Sequence, residues 1–276
     1  AGYSGASNYE AIAGADVVIV DRNAGGLAAT AADIAALGRR ALPFTCDLAD
    51  LAQVDRLWAT VDAEFGRVDC LGNVAGDAKA GPPETATIED LQFTLQCLVV
   101  SKFFMCQHAG KRMLARGRGS IINIGSLASV SALGRGHAFY SMGMGAVVQM
   151  TRELSTEWAG RGVRVNAVAP GLIDTDLSKA VRGLIGDRVK DIIPLKRVGA
   201  PADVANAVAF LASGSLSHRF AQNGLAPEFA HKIWSPFLEQ LDKQVLQMWG
   251  NREWKAFCEM LPEYASKGHG EGFMHD

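Results

Sequence analysis

The stretch ADVVIVD, residues 15–21, decides how this sequence folds. Four consecutive β-branched residues leave no polar face, which is the composition of a strand covered on both sides. Such strands belong to parallel sheets, so the neighbouring segments should alternate between helix and strand. They do. AGGLAATAADIAALG (24–38) has helical spacing, RRALPFTCDL (39–48) is strand-like, and LAQVDRLWATVDAEFG (51–66) is an amphipathic helix. Leu51, Val54, Leu57, Trp58 and Val61 share one side of that helix. VDCLGNVAG (68–76) reads as a strand running into a glycine-bearing turn, and residues 91–114 read as one long apolar helix. GSIINIGS (119–126) is a strand, AVVQMTRELSTEWAG (146–160) a helix and VRVNAVAPG (163–171) a strand. PADVANAVAFLAS (201–213) closes the series as a helix, with Pro201 at its start.

The fold class is therefore α/β, a doubly wound parallel sheet spanning residues 1–217. From residue 218 the texture changes. Phe229, Ile233, Phe237, Leu241, Val245 and Trp249 recur at helical spacing, so 218–276 reads as a helical C-terminal extension. Whether 218–226 adds an edge strand is left open. A net charge of −2 without a basic stripe excludes a general nucleic-acid or anionic-membrane binder. No apolar run reaches the ~20 residues of a membrane span. The opening AGYSGASNYE shows no signal-peptide pattern, and five cysteines without CxxC spacing read as reduced thiols. A cytoplasmic location and no metal site are expected.

Several motifs occur in order: VVIVDR, CDL, NVAG, GSIINIGS, a tyrosine fourteen residues after Ser126, and RVNAVAPGLIDT. Over residues 14–213 this order resembles the classical short-chain dehydrogenases/reductases. The resemblance implies a Rossmann-like fold, a nicotinamide cofactor at the carboxyl ends of the strands, and usually a tetramer. It also implies four chemical positions, with a serine to hold the substrate oxygen and a tyrosine to move its proton. A lysine lowers the tyrosine pKa and grips the ribose, and an asparagine holds a relay water. Carried over, the serine is Ser126 and the tyrosine Tyr140, while Met144 stands at the lysine position and Leu98 at the asparagine position.

An ordinary tyrosine, with a pKa near ~10, is about a thousandth ionised at neutral pH, and methionine offers no charge to change that. The family's first strand and glycine-rich turn should precede Gly14. SGASNYEAIAG (4–14) lacks the glycine spacing, so this part is read as missing or remodelled. Asp21, Asp47, Asn73, Gly76, Pro170 and Gly171 are then relict cofactor positions. Asp21 is read as a helix cap. Lys102 is weighed as a substitute cation and set aside, being a turn away from the needed place. His137 and Arg135, just ahead of Tyr140, are read as structural.

These departures lead to one expectation with two alternatives. The chain is expected to be a non-catalytic subunit, binding no cofactor itself and assembling, as a heterotetramer, with an active paralogue that carries NAD. Alternatives are a cofactor-independent lyase or isomerase using Tyr140 and Ser126, and a Rossmann-type ligand-binding module.

Overall fold

In a computed structural model, residues 15–213 are described except Arg135, Ala180, Val181, Leu184 and Ile185. The expected remodelled turn at 4–14, the extension 218–276 and its candidate edge strand lie outside them. The chain divides into two compact units, Ala1–Ala209 and Phe210–Asp276.

Five strands and their helices alternate as the periodicity implies. Strand β1 (Val17–Asp21) leads to helix α1 (Ala24–Ala36), β2 (Ala41–Thr45) to α2 (Leu51–Phe65), and β3 (Cys70–Asn73) to α3 (Ile88–Leu95). A π-helical turn (Gln96–Val100) joins α3 to α4 (Ser101–Arg116), followed by β4 (Gly119–Ile124) and α5 (Ala138–Trp158). Then come β5 (Val163–Val168), a short α6 (Val189–Ile192) and α7 (Pro201–Ser213).

All strand pairs are parallel, in the Rossmann-like α/β arrangement expected, and the described strands pair as β1–β2 and β3–β4–β5. Pro43 in β2 has no N–H to donate, and among the described strands β2 pairs with β1 alone. Strand β1 has apolar contacts on both faces. Val17 and Ile19 pack with Leu27 and Ile34 of α1, while Val18 and Val20 face the main core. That core joins Val54, Leu57, Trp58 and Val61 of α2 to Met105 and Met113 of α4 and to Ile121 and Val165 of the sheet. Leu51, at the edge of the apolar face of α2, is half-buried.

Inside this apolar body lies a polar network. The Asn73 amide donates to the Lys102 carbonyl at 2.9 Å and to Asn123 Oδ1 at 3.1 Å. Asn123 in turn donates to Thr151 Oγ1 at 3.0 Å, and the Cys106 thiol reaches Asn123 Oδ1 at 3.4 Å. Burial pushes that thiol up to about 11. Three elements, β3, β4 and α5, are thus tied side by side through their polar groups.

The Lys102 side chain is the anchor of the turn after β3. It is 1% exposed, and its ammonium donates to the carbonyls of Asn73, Val74 and Ala75 at 2.9, 3.2 and 2.7 Å. Burial pushes its pKa from 10.5 down to about 8. Only the charged form has three donors for three acceptors, so it remains an ammonium at neutral pH. Replacing it by methionine leaves three carbonyls without their donor and should cost at least about 3 kcal/mol in urea unfolding. The folded pKa is depressed, so the pH-linked stability is present above the unfolded value and lost as pH falls through about 8. Between about pH 8 and 10.5 the wild type should therefore gain on Lys102→Met by up to about 1.4 kcal/mol per pH unit.

Candidate active site

Parallel strands place their carboxyl ends on one side, where a crevice collects the residues that follow them. Asp21 ends β1, Asn73 ends β3 and opens the turn to Gly76, Ser126 follows β4, and Pro170–Gly171 follow β5. Asp47 lies just past β2, where its carboxylate accepts from the Ala49 N–H at 3.0 Å and shapes the turn into α2. Arg22 donates to Asp77 at 3.2 Å and so links the end of β1 to the turn after β3.

Asp21 differs from the reading as a helix cap. The residue capping α1 is Asn23, whose side chain accepts from the Gly26 N–H. Asp21 Oδ1 accepts from Asn23 N at 2.9 Å, so it orients the capping residue from one step behind. Its half-buried carboxylate stands at the carboxyl end of β1.

Ser126 is extended, 8% exposed, and caps the short 3-10 turn Leu127–Ser129, with its hydroxyl oxygen accepting from Ala128 N at 3.1 Å. The Leu127 N–H donates to the Pro170 carbonyl at 2.9 Å, which fastens this turn to the end of β5. Tyr140 is half-buried in the first turn of α5, and α5 packs against the 3-10 turn that Ser126 opens. The serine and the tyrosine thus stand on two elements in contact.

The other two chemical positions are carbon. Met144, one turn along α5 from Tyr140, is 7% exposed. Leu98 is 1% exposed and sits in the π-helical turn. A Cβ on Gly76 would lie 2.7 Å from Leu98 Cδ2, and one on Gly143 3.0 Å from Leu98 Cδ1. Two glycines therefore make the slot that this leucine fills, under the turn that Lys102 holds. Lys102 does not serve as a substitute cation for Tyr140, because its donors are committed to the carbonyls of residues 73–75.

The loop before α5 is pinned from outside. Gly136 adopts φ +73°, its carbonyl accepts from the Gly81 N–H at 3.0 Å, and a Cβ there would meet Gly81 O at 2.6 Å. The His137 ring lies 6.2 Å from the Tyr140 ring, edge to face at 73°. Sequence reasoning missed two things: the buried network through Asn123 and Thr151, and the clamp made by Lys102. A lone asparagine amid SIINI and a lone lysine in an apolar helix were the available signals. Among the described residues, no group of His, Cys, Asp or Glu is placed to hold a metal ion, and no helix is long and apolar enough to cross a membrane.

The sequence model of a family described as enoyl-(acyl carrier protein) reductase matches residues 4–222. A second, described as the catalytic LigB subunit of aromatic ring-opening dioxygenase, matches residues 202–276. The chain is 42% identical over 209 residues to the D-threitol dehydrogenase of Mycolicibacterium smegmatis, covering 75% of this chain and 80% of that protein. It is 35% identical over 179 residues to the NAD-dependent glycerol dehydrogenase of Listeria innocua serovar 6a, covering 64% and 70%. The structure of a short-chain type dehydrogenase/reductase from Mycobacterium marinum superposes with a TM-score of 0.72 at 28% identity, covering 76% of this chain and 85% of that one.

The expectation of a non-catalytic subunit does not survive these relatives, which are named as dehydrogenases at up to 42% identity. The expectation gave the unrecognised glycine turn at 4–14 and two substituted side chains the weight of the whole site. The sheet ends, the turn after β3, Ser126 and Tyr140 all persist around Leu98 and Met144, and the cofactor-independent and ligand-binding alternatives gain no support either. From its matched residues and its architecture, the chain belongs to the short-chain dehydrogenase/reductase family.

Proposed function

We propose that the chain is a nicotinamide-dependent oxidoreductase interconverting a hydroxyl-bearing carbon and a carbonyl, with a small polyol as the first substrate to test. One observation carries this reading. Ser126 and Tyr140 stand on contacting elements at the carboxyl end of a parallel sheet, in a chain 42% identical to a D-threitol dehydrogenase.

The residues at the strand ends suit a dinucleotide at its adenosine side. Asp21 presents a half-buried carboxylate at the end of β1, a position suited to a ribose hydroxyl. Gly76 is exposed above Leu98 and leaves a surface without a side chain on which a cofactor can rest. At the nicotinamide ribose Met144 offers no donor, so affinity there depends on the neighbouring backbone and on Ser126 and Tyr140. NAD, when bound, supplies the hydride acceptor. Ser126 then holds the substrate oxygen, and Tyr140 takes its proton as the carbonyl forms. Without a lysine at position 144 the site lacks a positive charge there, and turnover is expected to be slow.

The partner proposed for this chain is another chain of the same fold. Helices α4 and α5 leave a groove of about 420 Å³ lined by Val99, Val100, Phe103, Phe104, Met150 and Leu154, with Glu153 and Glu157 at its rim. Phe103 is 39% exposed there. A second pair of such helices, expected in the sequence from an active paralogue, would cover it. A cytoplasmic location fits the buried free thiols of Cys46, Cys97 and Cys106.

The full chain incubated with NAD and polyols or other secondary alcohols should form reduced nicotinamide. Tyr140→Phe and Ser126→Ala should each lower kcat by about 10²-fold or more. No reduction with any alcohol, or full activity in Tyr140→Phe, would overturn the reading. Separately, Phe104→Glu should convert the assembled protein to single chains in sedimentation, since it buries a charge in an apolar interface. An unchanged sedimentation coefficient would place the interface elsewhere.

A further inference from the structure

We propose that His137 is the proton outlet of Tyr140, exchanging with solvent from the loop side the proton that no lysine manages from within α5. The inference rests on the oxidoreductase reading above.

Three observations carry it. First, the tautomer is set. His137 Nδ1 lies 2.8 Å from the Gly134 carbonyl, which can only accept, so Nδ1 bears the hydrogen and, in the neutral ring, Nε2 is the nitrogen with the lone pair. Second, the ring is in place and unspent. His137 stands at the N-cap position of α5, yet its side chain makes no capping bond, and the ring meets Tyr140 edge to face at 6.2 Å. Its carbonyl, in contrast, is used, accepting from the Ser141 N–H at 2.8 Å, so the residue is fixed at the helix start. The loop behind it is held where Gly136 meets Gly81 without room for a side chain. Third, the two positions where the resemblance puts a lysine and an asparagine offer no proton carrier. Met144 and Leu98 are carbon and nearly inaccessible, and Leu98 is wedged between Gly76 and Gly143.

Two charged groups of the described segment facing this loop are engaged elsewhere. On the segment 77–82 packed against it, Asp77 pairs with Arg22 and Lys79 lies over the Phe93 ring at 4.9 Å. Imidazole is the side chain whose ordinary range straddles neutrality, and it can receive a proton and release it again within one turnover. In the oxidation direction Tyr140 would pass its proton through one water to His137 Nε2, and its oxygen would take the substrate hydroxyl proton as bound nicotinamide takes up the hydride; His137 would then release its proton to solvent. Reduction runs the same path backwards. His137 touches neither substrate nor cofactor in this scheme; it acts through the tyrosine.

The test uses the full chain and has two arms. In steady-state kinetics, His137→Ala should lower kcat by about 10²-fold with KM changed less than about threefold. It should also flatten the acidic limb of the kcat–pH profile, and added imidazole should restore turnover in a concentration-dependent way. Unchanged kcat and profile, or a loss that imidazole does not restore, would overturn the relay. The second arm needs no activity. Long-range ¹H–¹⁵N spectra should show His137 as the Nδ1–H tautomer, and Tyr140→Phe should move its titration midpoint. An Nε2–H tautomer, or a midpoint indifferent to Tyr140, sinks the proposal. If the wild type oxidises no alcohol but the spectra couple the two residues, the oxidoreductase reading fails while the His137–Tyr140 pairing stands.

Discussion

One buried ammonium holds the region on which the rest of the site depends. Lys102 reaches from α4 under the end of β3 and gathers three successive carbonyls, those of Asn73, Val74 and Ala75. Carbonyls at the end of a strand have no ladder partner, and burying them without a donor is costly. Gathered on one cation, they fix where the chain goes next, which places Gly76 over Leu98 and Asp77 against Arg22. The Asn73–Asn123–Thr151 chain ties β3, β4 and α5 together through buried polar groups. The turn after β3 and the ends of β3 and β4 thus rest on a polar network inside an apolar body.

The fold was legible because its signals are additive over many residues. Runs such as VVIVD and SIINI can hardly be anything but covered strands, and the spacing of Val54, Leu57, Trp58 and Val61 specifies a helix face that is indeed buried. Boundaries were less legible. Helix α5 begins at Ala138, eight residues before the periodic AVVQM run, because packing on the 3-10 turn and on Leu98 overrides the poor helix propensity of Gly143 and Gly145. The long helix expected over 91–114 contains a π-turn at 96–100 that no sequence period marks. The order in which the described strands pair depends on contacts between distant segments, which periodicity does not report.

For the site, position was legible and role was not. Ser126, Tyr140, Met144 and Leu98 stand at the places that their motifs assign. The step from an unrecognised glycine turn and two apolar substitutions to a non-catalytic subunit is overturned by relatives named as dehydrogenases. Lys102 illustrates the difficulty from the other side: its sequence position was enough to set it aside as a cation for the tyrosine, and only three distances show it serving the turn. At the far end, the two family matches overlap over residues 202–222, and the boundary between the compact units, 209/210, falls inside that overlap.

The central claim is that the strand ends of this chain carry a nicotinamide dinucleotide themselves, although Met144 replaces the expected ribose-gripping lysine. Calorimetric titration of the full chain with NADH tests it most directly. The account predicts a saturable isotherm with one site per chain, a Kd on the order of micromolar (roughly −8 kcal/mol), and about tenfold weaker binding in Asp21→Ala. No saturable heat at millimolar cofactor would contradict it.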